Sequence, residues 1–298
     1  MADERVETII DNGDRCGEGP TWDFRINRLV WTDIPASVVY SHDPRTGRTD
    51  VISRGVAAGG IGLHKDGGYL LAGPEGMYRL DSAGKSPPIP LDLGGKKPVF
   101  NDCIVDPRGR LYVGTYYWGD EMIEPSTLYL IDEKRSARPI VEGIELSNGL
   151  GFSPDNRTLY YADSTASKIY AFDVNATSGD LSNRRAFVTV PIEDGLPDGL
   201  TVDTGGFVWC AMCYGSQVVR YDPDGKIERR IKTPAKQTLS CAFGGDDLTD
   251  LYITTGGEHW PSRYMPPGYD PTKGTIGGAL YRVRLEGVQG RRENEATI

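Results

Sequence analysis

Glu18, Asn101, Asn148 and Asp198 are the side chains whose types and spacing best suit chemistry. Each precedes, by about 10–12 residues, a short β-rich phrase. Six such phrases occur: Leu29-Val30-Trp31, Tyr69-Leu70-Leu71, Leu111-Tyr112-Val113, Leu159-Tyr160-Tyr161, Val208-Trp209-Cys210 and Leu251-Tyr252-Ile253. They recur at roughly 40–50 residues, the period of a propeller blade. In a propeller that offset falls on the innermost strand, at the end facing the central channel. Residues distant in sequence then converge on one point. Carboxylates and amides gathered there are hard oxygen donors, suited to Ca²⁺, Mg²⁺ or Mn²⁺. A cation held by three of them keeps positions open for water and substrate, which permits carbonyl polarisation and water activation. A charge on an inner strand needs a partner or a metal to offset its desolvation. Asn148-Gly149 and Asp198-Gly199, read singly, are dipeptides common in turns. Four candidates in register favour a site. Gly60-Ile61 and Ser240-Cys241 stand at the equivalent places of the other two repeats, small or apolar, and leave room for a substrate.

The elements that position these residues follow a common plan. A first strand leads into a turn such as Asp106-Pro107-Arg108-Gly109 or Ser153-Pro154-Asp155-Asn156. The Leu-, Tyr-, Val- and Trp-rich phrase follows as a strand packed between blades. A third strand and a more polar fourth complete the unit. The pattern predicts an all-β, six-bladed β-propeller with four-stranded antiparallel blades, one domain spanning 1–298. Val6 to Ile10 reads as a strand that completes the last blade and so avoids bare sheet edges. Two insertions, 116–125 and 256–275, begin just after the second strands of their units, at the site end. They are candidate lids, carrying Tyr116, Tyr117, Trp118 and Glu121 in one and His259, Trp260, Tyr264 and Met265 in the other.

Composition narrows the function. A net charge of −9, from 42 acidic and 33 basic side chains, argues against a nucleic-acid partner. No run of 18 apolar residues occurs, so no membrane-spanning helix is expected. The start, Met-Ala-Asp-Glu-Arg, lacks a signal-peptide pattern, so a cytoplasmic location is expected. Five cysteines then suggest reduced thiols. Cys210 and Cys213 read as small buried hydrophobes, whereas Cys16, Cys103 and Cys241 lie near inner-strand ends. Among three histidines, His42 and His64 sit in turns away from the site end, and only His259 is within reach of the pocket. No G-x-S-x-G elbow, H-E-x-x-H, P-loop or dinucleotide fingerprint is present.

These residues resemble the family of gluconolactonase, senescence marker protein (regucalcin) and luciferin-regenerating enzyme. The likeness rests on Gly17-Glu18-Gly19-Pro20-Thr21-Trp22, on Asn101-Asp102 with Val105-Asp106-Pro107, on Ser147-Asn148-Gly149 with Phe152-Ser153-Pro154-Asp155, and on Pro197-Asp198-Gly199. The resemblance implies one divalent metal bound by Glu18, Asn148 and Asp198. Ca²⁺ is the first choice, with Zn²⁺, Mn²⁺ or Mg²⁺ as alternatives. It also implies that Asn101 completes the shell and touches substrate, and that Asp198 is the catalytic base. Sugar-lactone hydrolases of this family usually carry an Arg where Val99 stands, and an acid near the position of Trp118 and Gly119. Val99, Tyr116, Tyr117 and Trp118 instead suggest an apolar wall.

The expected function is a metal-dependent lactone hydrolase for a small lactone less polar than a sugar lactone. A sugar lactonase, a metal-dependent phosphotriesterase and a non-enzymatic metal-binding propeller are the alternatives. Substrate-binding candidates are Asn101, Val99, Tyr116, Trp118 and His259. A monomer or homodimer is expected, with no nucleic-acid or membrane partner.

Overall fold

The computed structural model describes residues 5–95, 97, 99–116, 125–258 and 265–298. Six antiparallel sheets are arranged as a six-bladed propeller. No α-helix occurs among the described residues, only a 3₁₀ turn at Ile192–Asp194. The inner strands are Gly17–Asp23, Gly60–His64, Phe100–Val105, Ser147–Phe152, Leu196–Val202 and Thr238–Gly244, in blades 1 to 6. Blade 6 takes its outer strand from the N-terminus, where Glu7–Asp11 pairs with Ala279–Arg284. This is the expected closure.

Apart from Arg28 and Thr158 at the start of theirs, the second strands are buried because each packs on two neighbouring blades. Side chains alternate across a strand. Trp209 and Ala211 therefore join the core shared with blade 6, around Phe243 and Ile253. Val208, Cys210 and Met212 join the core shared with blade 4, around Tyr160 and Ala162. Tyr69 and Leu71 face blade 1, while Leu70 and Ala72 face blade 3. Cys210 and Cys213 are both buried, Cys210 within this inter-blade core.

Blade 2 departs from the four-stranded plan. Its fourth strand is only Gly84–Lys85, and a fifth strand, Glu295–Ala296, runs parallel to the inner strand beside Leu63 and His64. That fifth strand belongs to a C-terminal strap crossing several blades. The Gln289 carbonyl accepts from Thr204 N at 2.8 Å, and Arg291 Nη1 donates to the carbonyls of Phe152 and Ser153 at 3.0 and 2.8 Å. Asn294 Nδ2 donates to the Val105 carbonyl at 2.9 Å, and His64 Nε2 lies 3.1 Å from the Ile298 carbonyl. Gly290 passes so close to Phe243 that a Cβ there would collide with the ring. The strap crosses the propeller at the inner strands' C-terminal ends, opposite to Glu18, Asn148 and Asp198.

Candidate metal and catalytic centre

Glu18, Asn101, Asn148 and Asp198 lie on the inner strands of blades 1, 3, 4 and 5, each at the strand's N-terminal end. A local irregularity aims them. Between Glu18 and Thr21 the strand carries one residue more than its partner, and the same occurs at Phe100–Cys103, Ser147–Leu150 and Pro197–Leu200. A bulge of this kind bends the strand and re-aims a side chain. The inner strand of blade 2 pairs without such a shift, and it contributes no polar site residue.

The glycines beside the site residues belong to strands, not turns. A Cβ at Gly149 would collide with the backbone of Asp198 and Leu200, and one at Gly199 would collide with Ser240. Neighbouring inner strands approach too closely there for any larger residue. Just outside the site, one device recurs. Asp33 accepts from the backbone N–H groups of Arg15 and Cys16, both at 3.0 Å. Asp163 does the same for Glu145 and Leu146, at 3.1 and 3.0 Å. These pairs precede Glu18 and Asn148 by equal steps, so each carboxylate fixes the approach to a site residue.

Asn101 Nδ2 donates to the Ser147 carbonyl at 2.8 Å and to Asn148 Oδ1 at 3.1 Å. Its Oδ1 lies toward Gly59, where a Cβ would stand 2.6 Å from it. Asn148 Nδ2 donates to Ser164 Oγ at 2.9 Å, leaving Oδ1 on the side of the site. Glu18, Asn148 and Asp198 are buried, and Oδ1 of Asp198 has no hydrogen-bond partner. Burial pushes the Glu18 carboxyl well above its usual range, and the charges of Asp198 and Asp102 raise it further. Asp198 is raised by burial and then by Asp102. Asp102 itself is raised to about 7, by burial and then by Glu293.

This donor set fits a hard cation. The charge of Asp198 reaches Glu18, Asn148 stands at the same end of a third inner strand, and one carboxylate oxygen is orphaned. Buried carboxylates so placed cost several kcal/mol unless a positive charge joins them. No group of three or more His, Cys, Asp or Glu suited to a metal occurs among the described residues. The amide oxygen of Asn148 would be the third donor, and an all-oxygen set of this kind suits Ca²⁺.

Beside the carboxylates lies an apolar cluster of Cys16, Leu196, Cys213, Tyr214 and Leu239, with Met265 and Tyr269 against it. Cys16 and Leu196 precede Glu18 and Asp198 by two residues, one step nearer the mouth. Burial first, then the charges of Glu18 and Asp198 among others, push both thiols well up, so they remain neutral. Of the expected wall, Tyr116 is buried, and its hydroxyl is raised by burial, then by Cys16 and Glu18. The Val99 carbonyl accepts from Tyr116 N at 3.0 Å. Tyr117, Trp118, Glu121, His259, Trp260 and Tyr264 lie outside the described residues. Further along the channel a cavity of ≈ 90 Å³ is lined by Asp102, Cys103, Cys241, Arg291 and Glu293 among others. His42 bonds Thr49 and His64 meets the strap, so neither belongs to the site.

Sequence reasoning missed Ser164, Asp33, Asp163, the apolar cluster and the strap. The two aspartates had a signal in hindsight, since both close the second strand of their repeat.

Comparison with known proteins matches residues 16–257 to the SMP-30/gluconolactonase/LRE-like region. The chain is 32% identical to pentonolactonase XacC of Haloferax volcanii over 295 residues, 98% of each chain. It is 31% identical to regucalcin of Xenopus laevis over 304 residues, 97% of each chain. Among solved structures it superposes on luciferin-regenerating enzyme with a TM-score of 0.86 at 25% identity, covering 99% of this chain and 100% of the other.

Proposed function

The chain belongs to the SMP-30/gluconolactonase/LRE-like family, and from that premise we propose that it is a metal-dependent lactone hydrolase. The orphaned, buried Oδ1 of Asp198, set beside Glu18 and Asn148, carries this reading. Glu18, Asn148 and Asp198 would hold a divalent cation, with Ca²⁺ favoured by the oxygen donors. When bound, the cation supplies Lewis-acid polarisation of an ester carbonyl and acidifies water.

Asp198 acts as the base. Its carboxylate takes a proton from water as the water oxygen bonds to the lactone carbonyl carbon. The ring C–O bond then breaks, and Asp198 returns the proton to the alkoxide that leaves. The product is a hydroxy acid. Asn101, whose two N–H groups are spent on Ser147 and Asn148, keeps Oδ1 for substrate or water.

The substrate is a lactone with an apolar substituent, less polar than an aldonolactone. The cluster of Leu196, Leu239, Cys16, Cys213 and Tyr214 supports this, as does Val99 in place of an Arg. A second reading, a sugar lactonase, is favoured by the 32% identity to a pentonolactonase. The test is hydrolysis of γ-valerolactone, a longer alkyl lactone, dihydrocoumarin, a pentonolactone and gluconolactone by chelator-stripped protein with Ca²⁺, Mn²⁺, Zn²⁺ or Mg²⁺ restored. Metal-restored turnover that favours the alkyl lactones supports the first reading. Preference for the sugar lactones supports the second. No lactone turnover with any metal would sink both.

A further inference from the structure

A hydrogen-bond chain crosses the site with its direction fixed at both ends. The carbonyls of Pro197 and Ser147 can only accept. Ser164 Oγ lies 2.7 Å from the Pro197 carbonyl, so its single proton points there. Only its lone pairs then remain for Asn148, whose side chain lies 2.9 Å away and must present Nδ2. At the other end, Asn101 Nδ2 stands 2.8 Å from the Ser147 carbonyl and 3.1 Å from the other branch of the Asn148 amide. A flipped Asn148 would set oxygen against a hydroxyl oxygen with no proton to give, and nitrogen against nitrogen. One orientation survives, with Oδ1 on the side of the site.

Ser164 is well placed to impose this. It is buried, directly after the second strand of blade 4 (Thr158–Asp163), and its N–H donates to the Leu146 carbonyl at 3.1 Å. Its neighbour Asp163 holds the N–H groups of Glu145 and Leu146. We propose that Ser164 is a positioning residue that locks Asn148 with its oxygen toward the cation donors and, through the Pro197 carbonyl, ties that amide to the strand bearing Asp198. This rests on the metal-dependent part of the reading above, and not on the identity of the substrate. A positioning partner of this kind typically contributes 10–100-fold to metal affinity.

The experiment is calorimetric titration of Ca²⁺ into the chelator-stripped full chain, for the parent and for Ser164→Ala, Ser164→Cys and Ser164→Thr. Mn²⁺, Zn²⁺ and Mg²⁺ are titrated in the same way, and the tightest binder serves for the comparison should the parent not bind Ca²⁺. The alanine variant should bind Ca²⁺ about 10–100-fold more weakly. Threonine, which keeps the hydroxyl, should stay within about threefold, and saturating Ca²⁺ should restore most of the alanine variant's kcat. Should alanine prevent folding, cysteine fills nearly the same volume with a weak donor and should show the same loss. Affinity within twofold of the parent in the alanine or cysteine variant overturns the proposal, as does a parent that binds none of Ca²⁺, Mn²⁺, Zn²⁺ and Mg²⁺. A parent that binds Ca²⁺ but opens no lactone, with the variants weakened as expected, overturns the lactonase reading and upholds the role of Ser164.

Discussion

Nδ2 of Asn101 stands 3.1 Å from Oδ1 of Asn148, so two inner strands meet at the site through a pair of side-chain amides. The same nitrogen reaches the Ser147 carbonyl, which leaves Asn101 without a spare donor. Asn101→Asp changes almost no volume, yet it sets a carboxylate against two acceptors. Lost hydrogen bonds with an unsatisfied partner cost about 1–3 kcal/mol. The expected outcome is a lower denaturation midpoint and at least a tenfold fall in kcat/KM for the best lactone. A variant that keeps both parent values would remove Asn101 from the site.

Asp198→Asn separates chemistry from folding. Loss of a positioned base should lower kcat by about 10²–10⁴-fold. In the chelated protein the same change relieves a buried carboxylate raised by burial and by Asp102, so it should raise the melting temperature. The rise should be about 1.5–2 °C for each kcal/mol relieved. Scanning calorimetry with chelator checks the sign. A variant less stable than the parent under those conditions would mean that Asp198 is not electrostatically burdened in the metal-free protein.

The acidity of the site sets a pH dependence. Glu18, Asp102 and Asp198 all titrate higher folded than unfolded, Asp102 at about 7. Between the usual carboxylate range and that raised range, the unfolded chain has released these protons while the folded chain retains them. The native state then binds more protons, so this contribution to stability is present at low pH and lost as pH rises toward 7 and above. A bound cation should cancel the loss. The melting-temperature difference between Ca²⁺-loaded and chelated protein should therefore widen from pH 4.5 to pH 7.5. A difference that stays flat over that range would contradict the shifts.

The fold was legible because period-2 burial and blade-length recurrence are both written in the chain. Trp209 and Cys210 face different blades, as alternation requires. The four candidates were legible by their common offset from those strands. Their aim was not, because a bulge adds one unpaired residue without changing composition. Gly149 and Gly199 illustrate the ambiguity, since the same dipeptide serves a turn or a close strand crossing. Ser164 escaped notice because its importance lies in a proton's direction, fixed by the carbonyl of a residue on another blade. The strap escaped because Arg291, Arg292 and Glu293 form no hydrophobic pattern, and Arg291 is held mainly by backbone carbonyls of another blade.

That strap supports a last prediction, at a distance from the chemistry. Arg291 donates to the carbonyls of Phe152 and Ser153 and to Asn156 Oδ1, and its charge lowers the otherwise raised carboxyl of the half-buried Glu293. Arg291→Ala strands three acceptors and removes the cation that faces Glu293. Losing the hydrogen bonds of a charged, half-buried donor of this type costs about 1.5–3 kcal/mol. The expected result is a denaturant midpoint shifted strongly downward, with kcat for the best lactone unchanged within about twofold at temperatures where the variant is folded, because the strap touches none of Glu18, Asn148 and Asp198. Arg291→Lys should recover only part of the loss, since an ammonium cannot reproduce the forked geometry. Equal stability of the alanine variant and the parent would show that the strap rests on the propeller without bracing it, leaving ring closure to the strand Glu7–Asp11 alone.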